Sequence, residues 1–256
     1  MKNNIVFMTC LEKAPDYLDY KEGCFKTWKY WCDKNDVQLF ILDEELQPTE
    51  GGVLTDSPGM KPTWQRWHVF DVLDANDIEY DNVALVDIDT MIHWDCPDFF
   101  EAAGGEFAAV QDRFFIEWTH NSIKGYQDYW PEVKFDWTTY FNCGFIVLNK
   151  KHKEFCKYVT DFYYENQDEL RKRQHETVKK GSDQTPINYM IRDSKFDLKF
   201  LDERFNLQQL HLRGVLQSDL LWSCAWVWHF NGFDKTERNN LMKQVWEAIK
   251  DNYVTE

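Results

Sequence analysis

The stretch Asn82-Val83-Ala84-Leu85-Val86-Asp87-Ile88-Asp89 decides how this sequence folds, because an apolar run leads directly into two acids. The run is short and bounded by polar residues, which is typical of a buried strand. Asp87 and Asp89 follow it, two residues apart. Ligands of an alternating α/β sheet bind beyond the carboxyl ends of its strands, so we expect both carboxylates to face a ligand.

The sequence on both sides of this stretch alternates between patterns typical of strands and of helices. Apolar runs predict further strands at 5–8, 37–42, 107–111, 140–149 and 196–201, and a last apolar segment lies at 226–230. Large apolar residues three or four apart predict helices at 17–34, 64–73, 153–176, 184–191 and 237–253. Glycines and prolines predict a loop at 44–62. No repeat or linker divides the chain, so we expect one domain over residues 1–256.

The charge of the chain excludes one class of partner. Its formal net charge is −15 over 256 residues, with a pI near 4.9. Such a protein repels a phosphate backbone, so we expect no nucleic-acid partner. It can still bind a phosphorylated small molecule if a metal cation neutralises the site locally. An anionic substrate therefore implies a metal.

The cysteines and the apolar segments bear on where the protein works. Its seven cysteines are an odd number and include no CxxC pair, which favours reduced thiols and a cytoplasmic location. The start, MKNNIVFMTC, is too weakly apolar for a signal peptide. No segment has the 18 or more apolar residues that a membrane span needs, so we expect no integral membrane segment.

The acid pair has a specific chemical use. Mg²⁺ and Mn²⁺ favour oxygen ligands and keep open positions for the phosphates of a substrate. Asp87 and Asp89 would hold such a cation, which would in turn bind a pyrophosphate. Taken alone, the pair is explained equally well as two solvated turn residues.

A second polar segment strengthens the metal interpretation. His229-Phe230-Asn231-Gly232-Phe233-Asp234-Lys235 follows the last apolar run. A neutral imidazole can supply a third ligand, a glycine lets the backbone approach a phosphate closely, and a lysine supplies a compact positive charge. A lone histidine after an apolar run is more often structural, but this spacing together with an upstream acid pair favours a site.

Five segments occur in the order that they have in one enzyme family. Residues 83–92 resemble the metal-binding strand of GT-A fold glycosyltransferases. Tyr140-Phe141-Asn142-Cys143-Gly144-Phe145-Ile146-Val147-Leu148-Asn149 resembles a strand of glycosyltransferase family 8. The segments 183–188 (DQTPIN), 201–206 (LDERFN) and 229–235 (HFNGFDK) are similar to three further motifs of that family. The resemblance covers most of the chain.

The resemblance implies an α/β protein with the Rossmann-like GT-A fold, whose mixed, mostly parallel central sheet is flanked by helices. Residues 1–110 would mainly bind the nucleotide and the donor, and residues 111–256 would mainly form the acceptor half and carry the C-terminal metal-binding and phosphate-binding segment.

The resemblance also implies a role for each matching residue. Asp87, Asp89 and His229 would bind the metal, Mn²⁺ or Mg²⁺. Asp183 and Gln184 would be the catalytic pair on the reacting side of the sugar. The remaining donor contacts would be Thr9, Tyr17, Arg66, Ile88, Asn142, Cys143, Gly232 and Lys235.

The implied reaction moves a hexose from a nucleotide-diphosphate sugar, with a UDP-sugar favoured, to a glycan or another hydroxyl acceptor. The family implies retention of the anomeric configuration, whereas inversion would follow if Asp183 took the acceptor proton. Two departures from the family stand out: Thr185 replaces an acid, and Thr236 and Glu237 follow Lys235 where the family has Pro-Trp.

Two other interpretations stay open at this point. Asp87-Ile88-Asp89 also resembles the nucleophile strand of haloacid-dehalogenase-like phosphatases, but those enzymes carry the pair on the first strand, with a threonine where this chain has Met91. A catalytically inactive nucleotide-sugar-binding relative on the same fold is the second alternative, since fold does not imply function.

Overall fold

A mixed six-stranded sheet with helices on both faces forms the centre of the protein. The computed structural model describes residues 2–10, 17–44, 46, 60–179, 182–216 and 218–254. The described strands are β1 (Asn4–Thr9), β2 (Gln38–Leu42), β3 (Asn82–Val86), β4 (Thr90–Ile92), β5 (Phe107–Gln111), β6 (Phe141–Asn149), β7 (Leu198–Phe200) and β8 (Val227–His229). The described helices are α1 (Tyr17–Glu22), α2 (Cys24–Lys34), α3 (Pro62–Gln65), α4 (Val69–Ala75), α5 (Phe99–Ala103), α6 (Ile116–Tyr126), α7 (Lys153–Lys172), α8 (Gln184–Asp193), α9 (Leu220–Ser223) and α10 (Lys235–Ile249).

The strand order of the main sheet is β2-β1-β3-β6-β5-β7. The pairs β1–β2, β1–β3 and β5–β7 are parallel, and β6 runs antiparallel between β3 and β5. The strands β4 and β8 form a separate antiparallel pair. The predicted α/β class with a mixed, mostly parallel sheet is therefore confirmed.

The alternation of side chains along β1 shows how the core is divided. Ile5 and Phe7 pack on one face of the sheet with Trp67 on the segment between α3 and α4 and Phe155 on α7. Val6 and its neighbours on the opposite face pack with α2 and α5. A third apolar cluster surrounds β4, β8 and α10. This third cluster anchors the C-terminal segment beside the end of β3.

The predicted strands are all present, but the predicted helices have different limits, and the one expected at 64–73 is divided into α3 and α4 by a 3-10 turn. The helix expected at 17–34 is divided at Gly23, where a Cβ would collide with the side chain of Met91. The last helix begins at Lys235, two residues earlier than expected, because the Asp234 side chain accepts hydrogen bonds from the backbone of Thr236 and Glu237. Most of the predicted loop at 44–62 lies outside the described residues.

Candidate active site

The chain turns sharply where β3 ends, and hydrogen bonds fix that turn. The backbone N–H of Asp87 donates to the Gly144 carbonyl on β6 at 2.8 Å. The Thr90 hydroxyl donates to the Asp87 carbonyl at 2.7 Å and accepts from the Trp28 indole at 3.0 Å. The regular pairing of β3 thus stops at the acids, and both carboxylates leave the sheet on the same side.

The small β4–β8 pair brings the distant histidine to the acids. Thr90 on β4 lies opposite His229 on β8, and the Phe230 N–H donates to the Asp89 carbonyl at 2.9 Å. Strand β4 is only three residues long, but it follows the acid pair directly. The backbone therefore fixes the position of the imidazole relative to both carboxylates.

Three ligand atoms converge at this point. The His229 Nε2 lies 3.3 Å from Asp89 Oδ1 and 3.6 Å from Asp87 Oδ2, and all three groups offer ligand atoms within 4.8 Å of one another. Adjacent ligands of an octahedral cation bound at about 2.1 Å lie about 3 Å apart. Two carboxylate oxygens and an imidazole nitrogen suit Mn²⁺ or Mg²⁺. The three predicted metal ligands therefore lie together with a spacing that fits such a cation.

The site shifts the pKa of each of these groups. Burial raises the pKa of Asp87, even though Arg66 and His229 oppose the shift. Burial acts in the same direction on Asp89, but His229 and Arg238 outweigh it and lower the pKa of that carboxyl. Burial alone would lower the pKa of His229, yet Asp89 and Asp87 raise it above its usual 6.5. A bound cation would replace the proton that this cluster otherwise holds.

A buried arginine holds the acid pair from the sheet side. The Arg66 Nη1 donates to Asp87 Oδ1 at 2.6 Å and to the Cys143 carbonyl at 2.8 Å, and Nη2 lies 3.1 Å from Asp183 Oδ2. Only 6% of Arg66 is exposed. Asp183 is also buried, and it accepts from the Trp67 indole at 3.2 Å. Arg66 thus links the turn that carries the acid pair to the start of α8.

The close approach of β6 to this turn requires a glycine. A Cβ on Gly144 would lie 2.7 Å from Asn142 Oδ1 and 2.8 Å from Asp87 Oδ2, and it would also collide with the His229 ring. Real Cβ contacts are longer than this. No larger residue fits at this position without displacing a predicted metal ligand.

A cavity of about 240 Å³ opens beside the acid pair. Four residues predicted as donor contacts, Thr9, Arg66, Asp87 and Ile88, line it together with Asp89. Its other lining residues are Tyr20, Pro62, Thr63, Val86 and Arg238. The hydroxyl groups of Thr9 and Thr63 are buried and have no hydrogen-bond partner among the described residues. The side chain of Tyr17 lies outside the described residues.

The C-terminal helix α10 places a positively charged side chain, Arg238, beside the acid pair, which the sequence did not predict. Arg238 Nη1 lies 3.4 Å from Asp89 Oδ2, and its guanidinium also lies over the Tyr20 ring. The predicted phosphate ligand Lys235 is exposed one turn earlier and does not line the cavity. Residues three apart share a helix face, and Arg238 follows Lys235 by three. A phosphate site at Lys235 therefore also indicated Arg238. Gly232 has a φ of +82°, and a Cβ at this position would meet the side chains of Gln209 and His211.

A second cavity, of about 370 Å³, lies beside Asn142 on β6. It is lined by Asp112, Phe115, Trp118, Asn142, Gln184, Gln209 and Asn231. Gln184 Nε2 donates to Asp112 Oδ2 at 3.1 Å, and burial raises the pKa of Asp112. Asp183 lines neither cavity. Burial raises the pKa of the Cys143 thiol and so keeps it neutral. Asp112 was not predicted from the sequence.

The fold is shared with solved glycosyltransferases. No protein-family profile and no curated protein sequence matches the chain. A glycosyltransferase involved in the glycosylation of the major capsid of PBCV-1 matches at a TM-score of 0.57 and 11% identity, over 94% of this chain and 99% of that one. The galactosyltransferase LgtC, in complex with donor and acceptor sugar analogs, matches at 0.51 and 14% identity, over 96% and 99%. The bifunctional glycosyltransferase WbbM matches at 0.56 and 15% identity, over 98% of this chain and 51% of that one.

The chain therefore has the GT-A fold of glycosyltransferases, similar to that of family 8. The acid pair follows the third strand of this fold, not the first strand as in the phosphatase alternative. Among the described residues, no helix combines the length and apolar character that crossing a membrane requires.

Proposed function

We propose that this protein is a metal-dependent glycosyltransferase that transfers a hexose from a nucleotide-diphosphate sugar to a hydroxyl group of a glycan or similar acceptor. Mn²⁺ is the favoured cation and a UDP-sugar the favoured donor. The observation that carries the proposal is the convergence of Asp87, Asp89 and His229 beside a cavity at the end of β3 on a GT-A fold.

The distribution of charge around the cavity supports a diphosphate ligand. The leaving group of the reaction is a nucleoside diphosphate, on which negative charge grows as the glycosidic bond breaks. Bound Mn²⁺ would supply Lewis-acid stabilisation of that charge. Arg238 lines the cavity and would add a second positive charge, while Arg66 holds Asp87 in the orientation that the ligand set needs.

The unpartnered hydroxyls in the cavity also support a polar ligand. Thr9 and Thr63 bury hydroxyl groups without a protein partner on its wall. A buried hydroxyl left without a hydrogen bond costs about 1–3 kcal/mol. A ribose or phosphate group in the cavity would remove that cost once the two side chains turn their hydroxyls towards it.

On the sugar side, Asp183 and Gln184 remain our proposed catalytic pair, with Asn142 and Cys143 beside the sugar. Arg66, Trp67 and Ser182 hold the Asp183 carboxylate, which leaves it poorly placed to take a proton from an acceptor. This arrangement supports transfer with retention, for which no dedicated general base is expected. Proton NMR of the product at early times would report its anomeric configuration directly.

A thermal-shift panel tests the proposal. Each nucleotide sugar is added with and without Mn²⁺, and release of free sugar from those that bind is then measured. We expect a Mn²⁺-dependent rise in melting temperature for at least one donor, and slow metal-dependent hydrolysis of that donor. Binding without any hydrolysis would identify an inactive relative, and no Mn²⁺-dependent shift with any donor would refute the proposal.

Three variants locate the binding within the site. Asp89→Ala should abolish the metal-dependent part of the shift. Lys235→Ala and Arg238→Ala should each weaken donor binding and leave the fold intact, with the larger loss in Arg238→Ala because only Arg238 lines the cavity. Donor affinity equal to wild type in either variant would remove that residue from the proposed diphosphate site.

Three further expectations from the sequence remain predictions. They are the division into a donor half at 1–110 and an acceptor half at 111–256, a cytoplasmic location, and the absence of a nucleic-acid partner. Asp87 and His229 come from different halves, so metal binding would join the two.

A further inference from the structure

A continuous row of hydrogen-bonded side chains, built around three amides, runs from the second cavity to the histidine beside the acid pair. The row begins at Asp112 in the second cavity and ends at the predicted metal ligand His229. Its members in order are Asp112, Gln184, Asn142, Asn206 and His229, joined at 3.1, 3.0, 3.0 and 2.9 Å. We call this row the amide relay.

Two backbone N–H groups fix the direction of every hydrogen bond in the amide relay. A backbone N–H can only donate. The Cys143 N–H donates to Gln184 Oε1 at 3.3 Å, and the Gly144 N–H donates to Asn142 Oδ1 at 2.8 Å. These contacts identify which end of each amide is the oxygen. The Gln184 NH₂ group then points at the Asp112 carboxylate, which accepts.

The same direction continues to the histidine. Because Asn142 Oδ1 accepts, the neighbouring atom of Asn206 must be its NH₂ group, which donates at 3.0 Å. The other end of Asn206 is then its oxygen, which lies 2.9 Å from His229 Nδ1. That oxygen can only accept, so Nδ1 must carry the proton.

We infer that Asn206 is a positioning residue that keeps a proton of His229 on Nδ1, so that Nε2 is the ring nitrogen that faces Asp87 and Asp89 and gives up its proton to a cation. The inference rests on the proposed function only in that the cation site belongs to it. Neither Asn206 nor Asn142 has to touch the cation to play this role.

The burial of the relay makes this arrangement energetically significant. Asn206 has no exposed surface, and only 2% of His229 is exposed. Turning the Asn206 amide over would place two acceptors together at Asn142, and it would place two donors together at Nδ1 as long as that nitrogen carries a proton. Loss of an outer-shell partner of a metal-binding histidine typically weakens metal affinity about 10- to 100-fold.

The position of the proton can be read directly. Histidine labelled with ¹⁵N allows long-range ¹H–¹⁵N correlation spectra to distinguish protonated from unprotonated ring nitrogens. The seven histidines are assigned with the help of a His229→Gln variant. At about pH 9, well above the ordinary histidine pKa, and with excess diamagnetic Mg²⁺, we expect a proton on Nδ1 of His229 and none on Nε2. A proton on Nε2 under these conditions overturns the inference, whether or not the protein uses a nucleotide sugar.

Variants separate positioning from a purely structural role. Asn206→Leu should mix the two tautomers of His229 and weaken Mn²⁺ binding in calorimetric titration by about 10- to 100-fold. Asn206→Asp keeps an acceptor for Nδ1–H. In contrast to Asn206→Leu, it should therefore keep the proton of His229 on Nδ1. Gln208→Leu is the matched control, because it removes a neighbouring buried amide that lies outside the relay.

Each result of the variant series has a defined meaning. Tautomer and Mn²⁺ affinity should both stay at wild-type values in Gln208→Leu. Unchanged values in a folded Asn206→Leu would overturn the inference. If Asn206→Leu does not fold, the ring state of the wild-type protein decides alone.

Discussion

The two ends of the central sheet both carry acids and a cavity, yet only one of them is organised as a site. At the amino ends of β1 and β3, a groove of about 670 Å³ is bordered by the exposed acids Asp33, Asp36, Asp77 and Glu79. At the carboxyl ends, the smaller cavity of about 240 Å³ is bordered by the acid pair. His229 and two arginines converge on that pair, and hydrogen bonds hold the backbone around it.

The difference shows that the size of a cavity does not identify the site. Charges that stay in water at the amino end are screened and need no partner. Charges that are withdrawn from water must be paired, and pairing them is energetically demanding. The carboxyl end maintains such an arrangement with buried Arg66 and His229. We therefore expect substitutions at the two ends to differ greatly in effect.

The largest contrast is expected between two acid-to-amide substitutions. Asp89→Asn removes a charged ligand and should weaken Mn²⁺ binding by roughly 1,000-fold, about 4 kcal/mol. Asp77→Asn at the amino end should leave Mn²⁺ binding unchanged, and its positive φ of 54° suits asparagine. Calorimetric titration of both variants with MnCl₂ measures the contrast. Equal affinities in the two variants would show that the acid pair is not the cation site.

The next effect concerns folding stability. Arg66→Met leaves Asp87 and Asp183 without their buried cation and should lower the free energy of unfolding by about 3 kcal/mol. Arg204→Met removes an exposed pair with Asp202 and should cost less than about 1 kcal/mol. Urea unfolding followed by circular dichroism gives both values. A loss in Arg66→Met as small as that in Arg204→Met would contradict the role of Arg66.

A smaller effect is expected where β6 passes the acid turn. Gly144→Ala inserts a methyl group between Asn142 and Asp87 and should destabilise the protein by about 2 kcal/mol. It should also weaken Mn²⁺ binding, because the methyl group pushes on a ligand. Unfolding and Mn²⁺ titration are measured on the same sample. Wild-type behaviour in both measurements would mean that the two strands lie farther apart than described.

The smallest expected effect is a dependence on pH. As the pH rises, the stability of the cation-free protein should fall, whereas its affinity for Mn²⁺ should rise. The pKa of His229 is raised above 6.5, so its contribution to stability is present below that value and is lost as the pH rises through the folded-state pKa. The cation-free protein should lose that contribution over this window. Mn²⁺ affinity should rise over the same window, by up to about tenfold per pH unit, because the cation competes with a proton. A Mn²⁺ affinity independent of pH would argue against His229 as a ligand.

The sequence predicted the main sheet and the acid turn because both depend on local pattern. The apolar run before Asp87 is unbroken, and β5 spans the residues that the pattern indicated. The convergence of His229 on the acids was predicted from the chemistry of its segment and from a resemblance, not from periodicity. The divided helix at Gly23 was missed because the contact with Met91 joins residues far apart in sequence.

The remaining parts of the site depend on pairings that local patterns do not contain. Strand β4 has three residues and exists because it pairs with β8, more than a hundred residues later. Asn206 lay in a recognised motif, but its contact with His229 becomes visible only when both side chains are placed. Arg238 faces the acids because Asp234 sets the start of α10. Asp112 follows β5 without any motif to mark it.

The central claim is that a cation held by Asp87, Asp89 and His229 binds a nucleoside diphosphate, and titration of the protein with UDP tests it most directly. We expect heat of UDP binding in the presence of saturating MnCl₂ and none that can be measured when EDTA replaces it. UDP binding of equal strength in both buffers would contradict the account.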